Sequence, residues 1–571
     1  TVANYSDTLF TAVGIPVLYP SNTQEVLDYG LHGIAMSRFS GCWVGMKLVT
    51  DVVEGGGSVY VAPDWPTVQL PEAPSTPKDP FGAGYHIRGF DMPLLQEDRL
   101  YHHKLDAVMA YARANRLNEM LSEAPGAQVG IISAGKSWQD VQQALSNMGL
   151  RDTDTAGIRL LKLGMVWPLD PVIVREFAQG LKAIIVVEEK RPLIEEQLRT
   201  ALYGSAEAPL IVGKRQSGTL FDPARGPMAF PNAAEISPQL VAQVIAGVMP
   251  HVAPGCTLVA PQGSATGQGP TPGLPARSPG FCSGCPHSRS TRVPEGSRAL
   301  AGIGCHTMAI LVNPKTTSAP SHMGAEGIHW LGQQPFTHEK HVFANLGDGT
   351  FAHSGLLAIR QAVAADVPLT YKLLYNGFVS MTGGQPVDAS LSPAQTLAVL
   401  AGEGVKKMAV VTDEPARYQG VTLPAGVPVH HRDQMETVQR EMREFPGVSV
   451  ILYDQACATE RRRLRKRGQW SDPAKRTFIN PAVCEGCGDC GKASGCMSIE
   501  PLETELGRKR RINQASCNKD YTCVEGFCPS FVTVHGGAPR KTAKPTSAQP
   551  AAPEWTAALP EPQLPALTAL Y

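Results

Sequence analysis

Three short runs, QVGIIS (128–133), IRLLKL (158–163) and AIIVVEE (183–189), are apolar nearly throughout and alternate with stretches of helical spacing. A strand that is apolar on both sides needs cover on both sides, which a parallel sheet with helices on its two faces provides. SWQDVQQALSNM reads as one covering helix with Ser137 as its N-cap, and DPVIVREFAQG (170–180) as another. Glu188 and Glu189 close the third strand and read as a solvated strand end rather than a ligand contact. The alternation returns, richer in glycine, from 280 to about 457. There HVFANLGDG (341–349) is a strand running into a turn, TFAHSGLLAIRQAV (350–363) a helix, and PLTYKLLYN (368–376) and SVILYDQAC (449–457) further strands. No internal repeat stands out.

At 571 residues the chain exceeds a single core. Its 51 basic residues balance 51 acidic ones, so it carries no footprint for nucleic acid or a membrane surface. No apolar run approaches the roughly 18 residues of a membrane span, and the opening residues lack a secretory leader. A cytoplasmic chain is expected. It opens without Met on what reads as the middle of a domain, and it stops as a Pro/Ala tether turns apolar, so truncation at both ends is expected as well.

Seven of the thirteen cysteines fall between Cys484 and Cys528, clustering that favours metal over disulfides in a large chain. Cys484, Cys487 and Cys490 have C-x2-C-x2-C spacing, and Cys528-Pro529 supplies the distant fourth ligand of an iron–sulfur cubane, cluster I. Cys517, Asp520 and Cys523 repeat the spacing with a carboxylate in the central place, and Cys496, by the crossing of ligands between paired clusters, completes cluster II. A hard oxygen holds iron less firmly than thiolate. Either cluster II is labile, then, or Asp520 is a plain surface residue and cluster II is absent. Zinc and a disulfide knot are the alternatives for the whole segment.

Gly347-Asp348-Gly349 ends one strand and Asn376 another, a spacing that sets their ends side by side at the carboxyl edge of a sheet, where such folds bind ligands. Asp348 and Asn376 offer hard oxygens to magnesium. The glycines and the N-terminus of the following helix suit a diphosphate.

This pattern resembles the thiamine diphosphate (ThDP) motif. NLGDGTFAHSGLLAIRQAV and TYKLLYNGFVSMTGGQ are similar to the diphosphate domain of the 2-oxoacid:ferredoxin oxidoreductases. With FCSGCPHS, GIGCHTM and the late cysteine module, the chain resembles, over nearly its whole length, the indolepyruvate ferredoxin oxidoreductases in their long fused bacterial form. The resemblance implies an α/β fold: parallel-sheet ThDP-binding domains plus a small ferredoxin-like iron–sulfur module. The expected organisation is the end of a pyrimidine-binding domain (1–65), a connecting segment (66–125), a transketolase C-terminal-like domain (126–250), a linker (251–279) and the diphosphate domain (280–460). A basic linker (461–480), the iron–sulfur module (481–536) and the Pro/Ala tether (537–571) follow.

The resemblance further places the third protein oxygen on magnesium at a main-chain carbonyl near Phe378, although Gly377 and Phe378 depart from the polar residue expected after the Asn. His287, His306 and His353 lie in motif loops, in contact with diphosphate or substrate or else simply packed. Cys282, Cys285, Cys305 and Cys457 correspond to the ligands of a proximal cluster, the alternative being a reduced CxxC turn that binds nothing. The implied activity is oxidative decarboxylation of a 2-oxo acid, indolepyruvate or another aryl or branched-chain acid, to acyl-CoA and carbon dioxide. Electrons pass through one to three [4Fe–4S] clusters to ferredoxin, in a homodimer. The catalytic carboxylate that activates ThDP is expected upstream of this chain, so the fragment alone is expected to turn over little. A non-catalytic electron-transfer subunit and a non-oxidative decarboxylase remain as alternatives. The run RRRLRKR (461–467) reads as a solvated linker face, or as a steering patch for acidic ferredoxin.

Overall fold

The computed structural model describes residues 5–536 apart from 80–81, 87, 123, 151–156, 219–225, 253–278, 389 and 527; side chains at 78, 79, 82 and 83 are also outside the description. Cys256 and most of the expected 251–279 linker lie outside the described residues. The chain folds as two units, divided at residues 274 and 275.

In the first unit, strands Leu210–Val212, Ala183–Val187, Val129–Ala134 and Ile158–Leu163 run parallel in that order, with Asn118–Ser122 antiparallel at the edge. Side chains alternate between two cores. Val129, Ile131, Ala183 and Ile185 meet Val141 of helix Gly135–Asn147 and Ile245 of helix Pro238–Val252. Ile132, Ala134, Ile184 and Val186 meet Phe177 of Pro171–Ala178 and Leu198 of Leu193–Leu202. This double cover is why the strands read as continuous apolar runs.

Two expectations are corrected in this unit. Ser137 is no N-cap: the strand feeds the helix directly, Ala134 stands at the cap position, and Ser137 is buried in the first turn. Nor is Glu188 solvated. It is 7 % exposed and its carboxylate accepts the N–H groups of Leu193, Ile194 and Glu195 at 3.1, 2.8 and 2.9 Å, capping the next helix. Glu189 is likewise held, by the Ile236 N–H at 3.0 Å and the Lys136 ammonium at 3.3 Å.

The second unit is built on a seven-stranded, wholly parallel sheet: Thr317–Ser318, Ala299–Leu300, Val342–Gly347, Leu369–Tyr375, Val448–Asp454, Lys407–Thr412, Val429–His431. The chain steps from Ala299–Leu300 outward to Thr317–Ser318, then returns past its starting strand to Val342–Gly347 and builds the other way. Ala299–Leu300 and Val342–Gly347 therefore flank a topological switch point, where parallel sheets open a crevice at their carboxyl edge. Val342, Ala344, Leu346, Leu369, Tyr371 and Leu373 face the larger core.

Gly347-Asp348-Gly349 is not the turn expected from sequence. Gly347 ends the strand as the N-cap, and Asp348 starts a helix that continues to Ala365 through a wider π turn at Phe351–Gly355. Beyond the sheet, Lys475–Ile479 pairs antiparallel with Phe531–His535, and Ile499–Thr504 with Gly507–Ile512. The basic run lies mostly on helix Ala458–Lys466 and is not a solvated linker face. Arg461 pairs with Asp413 at 3.0 Å, Arg463 donates to the Gly383 carbonyl at 2.8 Å, and Arg465 donates to the Asn518 carbonyl at 2.9 Å. These arginines tie the cysteine-bearing segment to the sheet.

Candidate active site and cysteine clusters

Asp348 stands at the carboxyl edge beside the switch point and is 7 % exposed. Its Oδ1 accepts the Gly349 N–H at 2.9 Å, and its Oδ2 accepts the N–H groups of Asn376 and Gly377 at 2.9 and 2.7 Å. The carboxylate thus stitches two adjacent strand ends together. Gly377 has φ +79°, a backbone that few side-chain-bearing residues adopt, and this turn brings both amides onto one oxygen. The glycine after the Asn therefore has a local reason. Asn376 Oδ1 accepts the Phe378 N–H at 3.0 Å and the Ser380 hydroxyl at 3.3 Å, so it is oriented before any ligand arrives. Burial raises the Asp348 carboxyl above the usual carboxylate range, and the amides of Asn376, Gly377 and Gly349 counter it. A cation supplies what such a group lacks.

Around the switch point are further buried polar atoms that sequence reading did not assemble. His306, Glu326 and Asn345 are 3 %, 1 % and 0 % exposed. Both ring nitrogens of His306, Oε1 of Glu326 and both side-chain polar atoms of Asn345 have no hydrogen-bond partner among the described residues. Gly302 packs against the His306 ring, the Glu326 side chain and the main chain of Asn345. A Cβ there would lie 2.3 Å from the Asn345 carbonyl oxygen, 2.8 Å from His306 Cε1 and 3.0 Å from Glu326 Cγ, so only glycine fits. His306 Nε2 also lies 3.2 Å from where a Cβ on Gly347 would stand, beside the GDG segment. Burial depresses His306 to about 3 and His287 to about 4, so both imidazoles are neutral. Their rings meet edge to face at 5.6 Å. His353, by contrast, is exposed, with Nδ1 2.8 Å from the Ser354 hydroxyl.

Lys372, in register with Asn345 on the neighbouring strand, is wholly buried. Its ammonium donates to the carbonyls of Ser290 and Arg292 at 2.8 and 3.0 Å. Burial lowers its pKa to about 7. Between that value and the roughly 10.5 of an exposed lysine, the unfolded chain binds a proton that the folded one does not, so stability rises with pH. Wild type is expected to gain on Lys372→Met by up to about 1.4 kcal/mol per pH unit over that window, and by nothing further above it. Urea denaturation of both proteins across the window measures this; parallel curves would refute it.

The cysteines form three neighbourhoods. Burial raises Cys285 first, and the like charges acting on it are Cys282, Cys457 and Cys305. Burial likewise raises Cys490, whose like-charge neighbours are Cys484, Cys487 and Cys528. Cys523 is pushed to about 12 by burial, and its like-charge neighbours are Cys496, Cys517 and Asp520. The Cys457 N–H donates to the Asn376 carbonyl at 3.4 Å, which places the first neighbourhood against the Asp348–Asn376 pair. Cys484, Cys487, Cys490, Cys523 and Cys528 line a cavity of about 540 Å³. Asp520, the eighth residue of the expected pair of clusters, adds its charge to that acting on Cys517 and Cys523. It bonds to Arg432, Gln455 and Thr522.

Residues 119–260 match the family model of the indolepyruvate oxidoreductase domain, and residues 302–452 that of the C-terminal TPP-binding domain of thiamine pyrophosphate enzymes. The chain is 26 % identical over 534 residues to indolepyruvate oxidoreductase subunit IorA of Methanothermobacter thermautotrophicus, covering 90 % of this chain and 76 % of that one. It is 28 % identical over 543 residues to IorA of Pyrococcus abyssi, with the same coverage. Among solved structures, a 2-oxoglutarate:ferredoxin oxidoreductase from Magnetococcus marinus matches with a TM-score of 0.25 at 19 % identity, covering 32 % of this chain and 66 % of that one. An overlap that slight carries no argument.

Proposed function

We propose for this chain, which belongs to the 2-oxoacid:ferredoxin oxidoreductases and is homologous to indolepyruvate oxidoreductase subunits along most of its length, the oxidative decarboxylation of an aryl or branched-chain 2-oxo acid such as indolepyruvate. The balanced change is 2-oxo acid plus coenzyme A to acyl-CoA, carbon dioxide, a proton and two electrons, with ferredoxin as acceptor. The observation that carries the reading is the Asp348 carboxylate, which joins the ends of two parallel strands beside a switch point.

The residues present suit the cofactor. Asp348, Asn376 and a main-chain carbonyl near Phe378 would hold magnesium, and Gly347, Gly349 and the helix N-terminus would receive the diphosphate. The unpartnered nitrogens of neutral His306 are an orphaned donor and an orphaned acceptor beside that place, and such buried groups call for a ligand. ThDP, when bound, supplies the electron sink that lets a 2-oxo acid lose carbon dioxide. Beside His306 the Glu326 side chain packs on Gly302, while the Lys372 ammonium is turned to the carbonyls of Ser290 and Arg292.

Iron–sulfur clusters would occupy the three cysteine neighbourhoods. The CSGC loop packs on the Cys517–Asp520 loop: the Asn518 amide donates to the Ser283 carbonyl at 2.7 Å, and a Cβ on Gly284 would lie 2.7 Å from Asp520 Cβ. That packing supports an electron order from Cys282, Cys285, Cys305 and Cys457, through Cys496, Cys517 and Cys523, to Cys484, Cys487, Cys490 and Cys528. The test is anaerobic protein with ThDP, magnesium and coenzyme A, given a panel of 2-oxo acids while the visible iron–sulfur absorbance is followed. Bleaching is expected with aryl or branched-chain acids and only with ThDP present. Bleaching that ignores ThDP would sink the reading.

A further inference from the structure

The second half of the cysteine module repeats the first. Ile479-Asn480-Pro481-Ala482-Val483-Cys484 corresponds to Ile512-Asn513-Gln514-Ala515-Ser516-Cys517. The Asn480 side chain accepts the Ala482 N–H at 3.0 Å and its carbonyl accepts the Cys484 N–H at 3.0 Å; Asn513 does the same for Ala515 and Cys517, both at 3.0 Å. Cys484 Sγ accepts the Gly486 N–H at 3.4 Å, and Cys517 Sγ accepts the Lys519 N–H at 3.4 Å. Even the left-handed residues match: Gly486 and Gly488, at φ +74° and +84°, recur as Lys519 and Tyr521 at +61° and +64°. In this register Asp520 stands where Cys487 stands in the first loop.

Its side chain is committed elsewhere. Oδ1 accepts from the Arg432 guanidinium and from Gln455 Nε2 at 3.2 Å, Oδ2 accepts the Thr522 hydroxyl, and the main-chain carbonyl accepts Arg432 Nη2 at 2.8 Å. Arg432 follows strand Val429–His431 and Gln455 follows Val448–Asp454, so both donors belong to the carboxyl edge of the large sheet. Gln455 is itself fixed, its Oε1 accepting the Tyr453 hydroxyl at 2.8 Å. The Arg432 and Asp520 side chains are 11 % and 15 % exposed. Drawing the carboxylate onto iron would take from a buried guanidinium its nearer counter-charge and leave it only Glu525, at 3.9 Å.

We infer that Asp520 anchors the module to the sheet and is not an iron ligand, so that the second cluster is held by Cys496, Cys517 and Cys523 alone, with one iron corner left to a small exogenous donor such as water or a thiolate. This rests on the iron–sulfur reading above. Mild oxidation then releases the open corner: [4Fe–4S]²⁺ gives [3Fe–4S]⁺, Fe²⁺ and an electron, which ferricyanide accepts.

The full chain, reconstituted anaerobically with iron and sulfide and treated with ferricyanide, tests this by EPR and iron analysis. Wild type is expected to show a three-iron signal and lose about one iron. Asp520→Ala keeps that signal at equal intensity while amide exchange at 517–523 rises, as loss of an anchor requires. Asp520→Cys, with a thiol at the position equivalent to Cys487, keeps its iron and loses the signal about tenfold or more. An Asp520→Ala that loses the second cluster would make Asp520 a ligand and overturn the inference, and a wild type without the three-iron signal would overturn the open iron corner. An Asp520→Cys variant that still yields the three-iron signal would also count against it. Protein that takes up no iron in any variant would instead remove the iron–sulfur reading on which it stands.

Discussion

Asp348→Ala is expected to raise the dissociation constant for ThDP in the presence of magnesium by about 100-fold or more, and to destabilise the second unit even without cofactor. The carboxylate serves two masters. Toward the cofactor it is the one anionic oxygen donor of the Asp348–Asn376 pair, and a single charge-assisted contact of about 3 kcal/mol is already roughly 100-fold. Toward the fold it is the acceptor for three amides, on Gly349, Asn376 and Gly377, at a buried position. Leaving those donors unsatisfied costs on the order of 3 kcal/mol or more, because each unmet donor loses its water as well as its partner. Asp348→Asn separates the two roles. Its amide oxygen still accepts from the Asn376 and Gly377 N–H groups while its NH2 group leaves the Gly349 donor unmet, so part of the stability returns, whereas the charge is gone and cofactor affinity stays low. Calorimetric titration with ThDP at fixed magnesium, beside denaturant unfolding of the apo protein, measures both quantities. Magnesium-dependent binding that survives in Asp348→Ala would show that the strand-end carboxylate is only structural.

The sequence made the sheets legible for a reason that also explains its failures. QVGIIS, IRLLKL and AIIVVEE read as strands because a parallel sheet covered on both faces admits almost no polar residue, and the cores on either side of Val129–Ala134 bear that out. Asn345 and Lys372 are polar breaks inside the runs HVFANLGDG and PLTYKLLYN. They are register neighbours on one face, and a pair of polar residues at matching places in two adjacent apolar strands is the signal that could have found them. Glu326 carries no such mark, since its burial depends on Gly302 coming close across the switch point. Glu188 and the arginines of 461–467 were misread for the opposite reason. Charged residues at an element's end are solvated by default, and only the tertiary fold shows which helix N-terminus or carbonyl they meet. The repeat INPAVC and INQASC went unseen because only Ile, Asn, Ala and Cys recur at fixed places, while paired αL positions are glycine in one copy and Lys or Tyr in the other.

Removing iron from the anaerobically reconstituted protein is expected to unfold residues 475–536 while leaving the seven-stranded sheet intact. Among the described residues the apolar core of that module is three buried side chains, Ile479, Cys484 and Ile512, with Ile499, Phe531 and three further cysteines packed against them. Two separate two-stranded ribbons over so small a core are marginal at best. What else holds the module is a set of polar contacts to the sheet, among them Arg465 to Asn518 and Asn518 to Ser283, each worth about 1 kcal/mol net. A structural metal site supplies far more, roughly 10–16 kcal/mol for zinc bound by small domains, and much of that is folding energy. If iron and sulfide supply even a fraction of it, the metal term outweighs the docking contacts, and the docked but metal-free module has too little to stay ordered. Chelator-treated protein should therefore lose amide protection between 475 and 536 and become open to protease there, with protection of 342–347, 369–375 and 448–454 unchanged. A metal-free module that keeps its protection would mean that the arginine contacts and the small core suffice, and that the cysteines are not needed to build this part of the fold.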